Sequence, residues 1–239
     1  MKKVIICITL AIVTACSPGP QATEGPILDE QPAEPPTPIP MDLTPAQRAV
    51  ITALSENLGL PADEIKLAST EAMDWPDSCL GVAEEGIECT QVITPGFRIL
   101  LDAKGRQMEY HTNEDGTQIR PATIALTWKR EGGIAGFCDY MTVFLSGEVH
   151  TSSCKQGQIV EGRLIDALSE NEMAQFDEWL TNYGNVTIDA SDPKGVSDRM
   201  VVMLTFMGTG SQQTLSPSNE RDLLNFVQEL YQRSSLPIK

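Results

Sequence analysis

Apolar residues recur with a helical period at the start of the folded part of the chain. Thr44 can cap a helix, Pro45 suits the first helical position and Gln47 completes a capping box. Gly59 is a typical residue for the end of such a helix. The sequence therefore predicts a helix that ends at Gly59, with a buried face formed by Val50, Ile51, Leu54 and Leu58.

Extended segments follow this helix. Residues 65–75 alternate imperfectly between apolar and polar positions, as a strand does. One helix followed by a three- or four-stranded antiparallel meander is a cystatin-like arrangement, whose core forms where the helix packs on one sheet face. The further elements predicted here are an extended stretch at 91–93, a turn at 94–96, a strand at 97–101, a turn at 104–105, a strand at 108–112 and a turn at 115–116.

The second half of the chain again mixes strands and helices. Its predicted elements are a strand at 123–128, a hairpin of 137–145 and 148–153, a helix capped by Ser169 and Glu172, a short strand at 186–188, a strand at 200–207 and a helix opened by Ser216-Pro217. The whole pattern predicts an α+β chain with two small domains, 42–121 and 122–239. Each is expected to be an antiparallel sheet packed with one or two helices.

Residues 1–15 have the pattern of a signal peptide. Lys2 and Lys3 precede an apolar run at 4–13 that is too short to cross a bilayer as a stop-transfer helix. The run Val13-Thr14-Ala15-Cys16 then resembles the bacterial lipobox. That resemblance implies cleavage before Cys16, lipid on its thiol and attachment to the extracytoplasmic face of the cell membrane. An ordinary signal peptide that is cut near Ala15 is the alternative.

Residues 16–41 have the composition of a linker. Half of the chain's sixteen prolines fall here, and every charged residue in the segment is acidic. Proline disfavours helix and sheet, so the segment favours extended polyproline II with a reach of up to roughly 75 Å. We therefore expect a lipid-anchored spacer that holds the folded body away from the membrane.

The net charge of −16 limits the classes of partner. Nucleic acids and anionic lipid headgroups attract basic patches, so neither is expected to bind this chain directly. Contact with the membrane is expected through lipid on Cys16 alone.

Four of the six cysteines remain once Cys7 leaves with the signal peptide and Cys16 accepts lipid. An even number in an oxidising compartment predicts two disulfides, and we favour the local pairs Cys79–Cys89 and Cys138–Cys154. Metal binding is the rival use of four cysteines. No Cys-x-x-Cys motif occurs, so neither a metal nor another cofactor is expected.

The second disulfide follows from the hairpin that it flanks. If Cys138 faces Cys154, the turn centres on Ser146 and contains Leu145-Ser146-Gly147. Glycine then occupies the position that requires a left-handed backbone.

The first domain resembles a PepSY-type domain. The resemblance rests on the helix, on strands joined by a closing glycine turn, and on a final strand that ends at Asp115-Gly116. The loop between Cys79 and Cys89 is an insertion relative to that pattern. PepSY domains accompany secreted metalloproteases and are thought to restrain them, so the resemblance implies a regulatory role.

The run Trp75-Pro76-Asp77-Ser78-Cys79-Leu80-Gly81 combines an aromatic residue, a proline turn, an acid and a cystine. Interpreted functionally, it is a rigid exposed loop that meets a partner through Trp75. Interpreted structurally, it places Trp75 in the core, and this second interpretation is the simpler one.

The second domain resembles emfourin-like proteins, which are small inhibitors of thermolysin-type metalloproteases. The resemblance rests on Arg130-Glu131-Gly132-Gly133-Ile134-Ala135-Gly136, because that family has a similar Arg-x-Gly-Gly-Phe/Ile-Ala-Gly run before a strand and a leucine-containing helix. It implies protease inhibition, with partner contacts at Arg130, Gly132, Gly133, Ile134, Ala135 and Gly136. The glycines permit either a turn that pairs with a protease cleft or a close crossing over the sheet.

The sequence carries no recognisable catalytic motif. It has two histidines, His111 and His150, and lacks His-Glu-x-x-His, Gly-x-Ser-x-Gly and phosphate-loop motifs. We therefore expect a non-enzymatic protein. A surface binding or adhesion module that uses the loop at 75–81 or at 132–136 is the alternative to a protease inhibitor.

Overall fold

The computed structural model describes residues 42–153 and 164–234. Within these ranges the chain forms three α-helices and two antiparallel sheets, which confirms the predicted α+β class. The predicted signal peptide, the lipidation site Cys16, the linker and Cys154 lie outside the described residues.

The elements are given in chain order. They are α1 (Pro45–Leu58), β1 (Lys66–Trp75), β2 (Thr94–Ala103), β3 (Arg106–Asn113), β4 (Ile119–Pro121), β5 (Ile124–Gly132), β6 (Phe137–Phe144), β7 (Glu148–Ser153), β8 (Leu164–Ala167), α2 (Glu170–Asn182), β9 (Asn185–Asp189), β10 (Met200–Met207) and α3 (Pro217–Ser234).

Helix α1 has the predicted ends. The hydroxyl of Thr44 accepts a hydrogen bond from the backbone N–H of Gln47, and the side chain of Gln47 accepts one from the N–H of Thr44. Gly59 ends the helix with a left-handed φ of 62°. The capping box and the glycine stop are therefore confirmed.

The first sheet has the strand order β1-β2-β3-β4. The predicted turn at Lys104-Gly105 is confirmed, and both residues have the positive φ that a two-residue hairpin turn requires. The predicted turn at 94–96 is wrong, because β2 begins at Thr94. A Cβ on Gly96 would lie 1.8 Å from the carbonyl oxygen of Thr112, so this glycine permits close strand approach instead of a turn.

The second sheet has the order β8-β7-β6-β5-β10-β9, with all neighbours antiparallel. Its β6–β7 hairpin has the predicted register, since opposite pairs such as Thr142 and His150 centre on Ser146. Gly147 adopts the expected left-handed conformation, with φ 80°. The short strand β8 was not among the predicted elements.

The helices of the second half also follow their local signals. Ser169 and Glu172 form the predicted capping box at the start of α2. The apolar residues predicted to line one face of α2 are buried: Met173, Phe176, Trp179, Leu180 and Tyr183. The stripe predicted for α3 is Leu223, Leu224, Val227, Leu230 and Tyr231, of which all but the half-buried Leu224 are buried, and Phe226 is buried in addition.

The two halves share one hydrophobic core. The predicted boundary at 121/122 lies between β4 and β5, yet buried residues of both sheets and all three helices belong to a single cluster. Polar contacts also link the halves: the Glu109 N–H donates to the hydroxyl of Thr123 at 2.8 Å, and the Asn57 amide donates to Glu148 at 3.1 Å. Both described ranges belong to one compact unit.

Candidate functional site

The predicted contact run forms the turn between β5 and β6. Gly132 and Phe137 make the last strand pair, and the N–H of Gly136 donates to the carbonyl of Gly133 at 3.0 Å. Ile134 and Ala135 therefore occupy the two central positions of a tight turn. Ile134 is 92% exposed.

Three glycines shape this turn. Gly132, Gly133 and Gly136 have φ values of 81°, 70° and 59°, which other residues rarely adopt. Gly132 has a second constraint, because a Cβ there would lie 2.5 Å from the carbonyl oxygen of Arg199. The glycines therefore form a tight turn, and Gly132 also permits the close approach of Arg199, whereas pairing of the turn with a protease cleft stays a prediction.

Arg130 belongs to the stem of the hairpin instead of its tip. Its guanidinium donates to one oxygen of Asp139 from Nε at 3.0 Å and from Nη2 at 2.6 Å. The same group lies 3.9 Å from the ring centre of Phe137. The other Asp139 oxygen accepts from Tyr231 at 2.9 Å. Asp139 therefore links Arg130 in the hairpin stem to Tyr231 in α3, and the partner contact of Arg130 stays a prediction.

The connection between β9 and β10 lies beside the hairpin turn. The N–H of Gly133 donates to the carbonyl of Arg199 at 3.2 Å, and Met200 pairs with Gly132. Within this connection Val196 is 47% exposed. No local sequence signal marks this segment, because its proximity to the turn depends on β10 pairing with β5.

Trp75 is buried in the first half, with 4% of its surface exposed. Its ring stacks on His111 with a centroid distance of 4.0 Å, and its indole N–H donates to the carbonyl of Thr112 at 2.9 Å. The structural interpretation of this residue therefore holds, and Trp75 offers no surface to a partner.

The loop after Trp75 carries a disulfide and a buried acid. Cys79 and Cys89 are bonded as predicted, with Cα atoms 5.5 Å apart. Cys138 is also disulfide-bonded. Its proposed pairing with Cys154 falls outside the described residues.

Glu84, in the same loop, reaches across to the second sheet. One of its oxygens accepts from Nη1 of Arg120 at 3.0 Å, and the other lies 2.7 Å from Nδ1 of His150. The second ring nitrogen of His150 lies 2.7 Å from a Glu148 oxygen. The network cross-links β4, β7 and the disulfide loop.

His111 is held in a similar way. Nδ1 lies 2.7 Å from the carbonyl oxygen of Leu80, and Nε2 lies 2.7 Å from a Glu109 oxygen. Both ring nitrogens of both histidines are thus engaged with oxygen acceptors. The arrangement suits structural cross-linking, because a free ring nitrogen is what a general base or a metal ligand needs.

Glu131, near the hairpin stem, raises the pKa of the neighbouring Tyr140 side chain. The hydroxyl of Tyr140 donates to Glu131 at 2.7 Å. That hydrogen bond, with burial and the charge of Glu131, raises the pKa of Tyr140 to about 12. Tyr140 therefore stays protonated and holds Glu131 in place next to the turn.

Asp77, Cys79 and Cys89 bring a carboxylate and two sulfur atoms within 4.8 Å of one another. Both sulfur atoms belong to the disulfide, so neither is a thiolate. The carboxylate of Asp77 instead accepts from the backbone N–H groups of Cys79 and Gly81.

In the described ranges, no helix is long and apolar enough to cross a membrane.

Comparison with known proteins links only the first half of the chain to a family. The profile of a family described as a domain of unknown function, DUF8738, matches residues 47–121. No curated protein and no solved structure matches the chain. The matched segment contains Glu84 and Arg120 of the cross-linking network but not the β5–β6 hairpin.

Proposed function

We propose that this chain is a lipid-anchored, extracytoplasmic protein that inhibits a secreted thermolysin-type metalloprotease by inserting the β5–β6 turn into the protease cleft. The observation that carries the proposal is the 92% exposure of Ile134 at the apex of that turn. A convex turn with one large apolar side chain at its tip complements a concave cleft with an apolar pocket.

The rigidity of the turn supports inhibition over cleavage. Its closing hydrogen bond and the anchoring of Arg130 on Asp139 favour one conformation. A preformed loop loses little conformational entropy on binding. A segment held in a tight turn also resists the extended conformation in which a protease pairs with its substrate as an added strand.

The proposed anchor fits the same role. Lipid on Cys16 and the proline-rich spacer would hold the folded body at a distance from the membrane, where secreted proteins pass. The resemblances to PepSY-type and emfourin-like proteins both imply restraint of metalloproteases.

The test is a titration of the folded body, residues 42–239, against thermolysin-type metalloproteases with a short fluorogenic peptide as substrate. We expect loss of protease activity with the wild-type chain. We expect Ile134→Asp to weaken inhibition by roughly a hundredfold or more, as loss of a central contact residue does.

A matched control is available in Ile93, another exposed apolar residue, at 67%. Ile93→Asp introduces the same change in the loop before β2 and should leave inhibition unchanged. If the wild-type chain at micromolar concentration leaves all such proteases fully active, the proposal is overturned.

A binding or adhesion module is the second candidate. It is favoured by a cleft of about 370 Å³ between the disulfide loop and the second sheet, lined in part by Glu85, Thr127 and Lys129. A ligand in that cleft would be lost with Thr127→Trp, which fills it, whereas protease inhibition through Ile134 would persist. If a component of cell-surface extracts binds the wild-type chain but not the Thr127→Trp variant, this candidate is favoured.

A further inference from the structure

The β9–β10 connection is a second loop at the same end of the second sheet as the proposed inhibitory turn. Strand β10 lies beside β5, and Met200 at its start is opposite Gly132 at the end of β5. The N–H of Gly133 donates to Arg199 in the connection at 3.2 Å. The two loops therefore leave the sheet side by side.

Three hydrogen bonds close the base of this connection, and all involve Asp192. Its N–H donates to the carbonyl of Met200 at 2.8 Å, and its carboxylate accepts from the N–H of Met200 at 2.9 Å. Its carbonyl accepts from Nε of Arg199 at 2.8 Å. Because both ends are tied together, the exposed residues between them project as a preformed loop.

Val196 is the apolar residue that this loop exposes. The large apolar residues that are exposed within the described ranges are Val92, Ile93, Ile134 and Val196. Single exposed apolar residues are common and need no explanation. Val196 differs because its loop is bonded to the turn that carries the most exposed of the four.

A stable protein–protein interface buries more surface area than the β5–β6 turn alone can supply. A specific protein–protein interface buries about 800 Å² on each partner, from roughly 20 residues or more. The four residues of the turn cannot supply that area. The adjoining loop is the nearest preformed surface that can extend it.

We infer that the β9–β10 loop is a second contact element, and that Val196 packs on an apolar shelf beside the pocket that accepts Ile134. This inference rests on the proposed function and names the partner surface more closely. The partner is a cleft with two neighbouring apolar subsites, one deep enough for Ile134 and one shallower for Val196.

The test compares Val196→Asp, Ile134→Asp and the control Ile93→Asp in the inhibition titration. We expect Val196→Asp to weaken inhibition by roughly tenfold, as loss of one peripheral apolar contact does, with an unchanged thermal midpoint. Val196→Ile, which keeps an apolar side chain, should retain inhibition.

The outcomes separate the two proposals. If Val196→Asp inhibits as well as wild type while Ile134→Asp does not, the second contact is overturned and the inhibitory turn stands. If wild type does not inhibit any thermolysin-type protease, both are overturned. An equal small loss in Val196→Asp and Ile93→Asp would also reject the second contact, because the effect would then follow added charge alone.

Discussion

Nδ1 of His150 lies 2.7 Å from a carboxylate oxygen of Glu84, although the two residues are 66 positions apart in the chain. Both side chains are 2% exposed. The pair joins the disulfide loop of the first half to β7 of the second, and Arg120 and Glu148 extend the network. A polar cross-link of this kind is costly to break because its partners are left buried.

Glu84→Gln should lower the free energy of unfolding by about 3–5 kcal/mol, the usual loss when one member of a buried ion pair is removed. Glutamine keeps the shape but removes the charge that faces Arg120 and the imidazole. Urea unfolding followed by circular dichroism measures the change.

Glu85→Gln is the matched control for that substitution. Glu85 is 58% exposed and pairs with Lys129, so its replacement should cost about 1 kcal/mol or less. Equal losses in the two variants would show that the Glu84 network does not hold the halves together.

The disulfide of the same loop should stabilise the fold through the unfolded state. Its cysteines are 10 positions apart, so the double variant Cys79→Ser, Cys89→Ser should lose about 2–3 kcal/mol of unfolding free energy. Cys79 is 2% exposed, so Cys79→Ala, Cys89→Ala controls for burying a hydroxyl. Unfolding midpoints as high as that of wild type in both variants would contradict this prediction.

Gly132→Ala should destabilise the chain more than Gly136→Ala. Both positions have positive φ, which costs roughly 1–2 kcal/mol for a residue with a Cβ. At Gly132 the added Cβ also meets the Arg199 carbonyl at 2.5 Å, whereas nothing lies within 4 Å of a Cβ at Gly136. Thermal midpoints of the two variants test the order, and the reverse order would show that the close approach at Gly132 is not restrictive.

Arg233 should make part of the stability depend on acid pH. It bonds Asp166 at 3.0 Å and Glu172 at 2.7 Å. Burial opposes ionisation of both acids, but their hydrogen bonds and Arg233 outweigh it, so the pKa of each lies below its usual value. The unfolded state then binds more protons, and this stabilisation is present above pH about 4–5 and disappears as pH falls below the folded-state pKa values.

Arg233→Gln should therefore be less stable than wild type at pH 7, and the gap should close as the pH is lowered through the acid range. Unfolding free energies measured across that range give the comparison. A gap that stays constant with pH would mean that Arg233 acts through packing and neutral hydrogen bonds instead of through its charge.

Features that depend on a few neighbouring residues were predictable from the sequence. The capping pairs Thr44–Gln47 and Ser169–Glu172 form because a helix leaves its first N–H groups without partners, and the partners lie three residues away. The β6–β7 register followed from placing Cys138 opposite Cys154, with Gly147 in the turn between them. The Cys79–Cys89 bond joins positions in one short loop.

Features that depend on distant segments required the tertiary structure. No local signal pairs Glu84 with His150 or places Arg199 against Gly132, because the two residues of each pair are far apart in sequence. The second contact depends on β5 pairing with the distant β10 as well as with β6. Thr94-Pro95-Gly96 has the composition of a turn, but these residues begin β2. Gly96 lies in the strand because it pairs with β1 on one side and with β3 on the other.

The features of the candidate site also fall into these two groups, those with a local sequence signal and those that depend on the tertiary structure. The sequence alone marked the run 132–136 as unusual, since glycine is the residue that tolerates positive φ at low cost, but it left open whether the run would turn or cross closely over the sheet. Only the fold decided that Ile134 is exposed, that Arg130 binds Asp139, and that Trp75 is buried. Exposure depends on which other segments cover a side chain, and that is settled by packing across the whole chain.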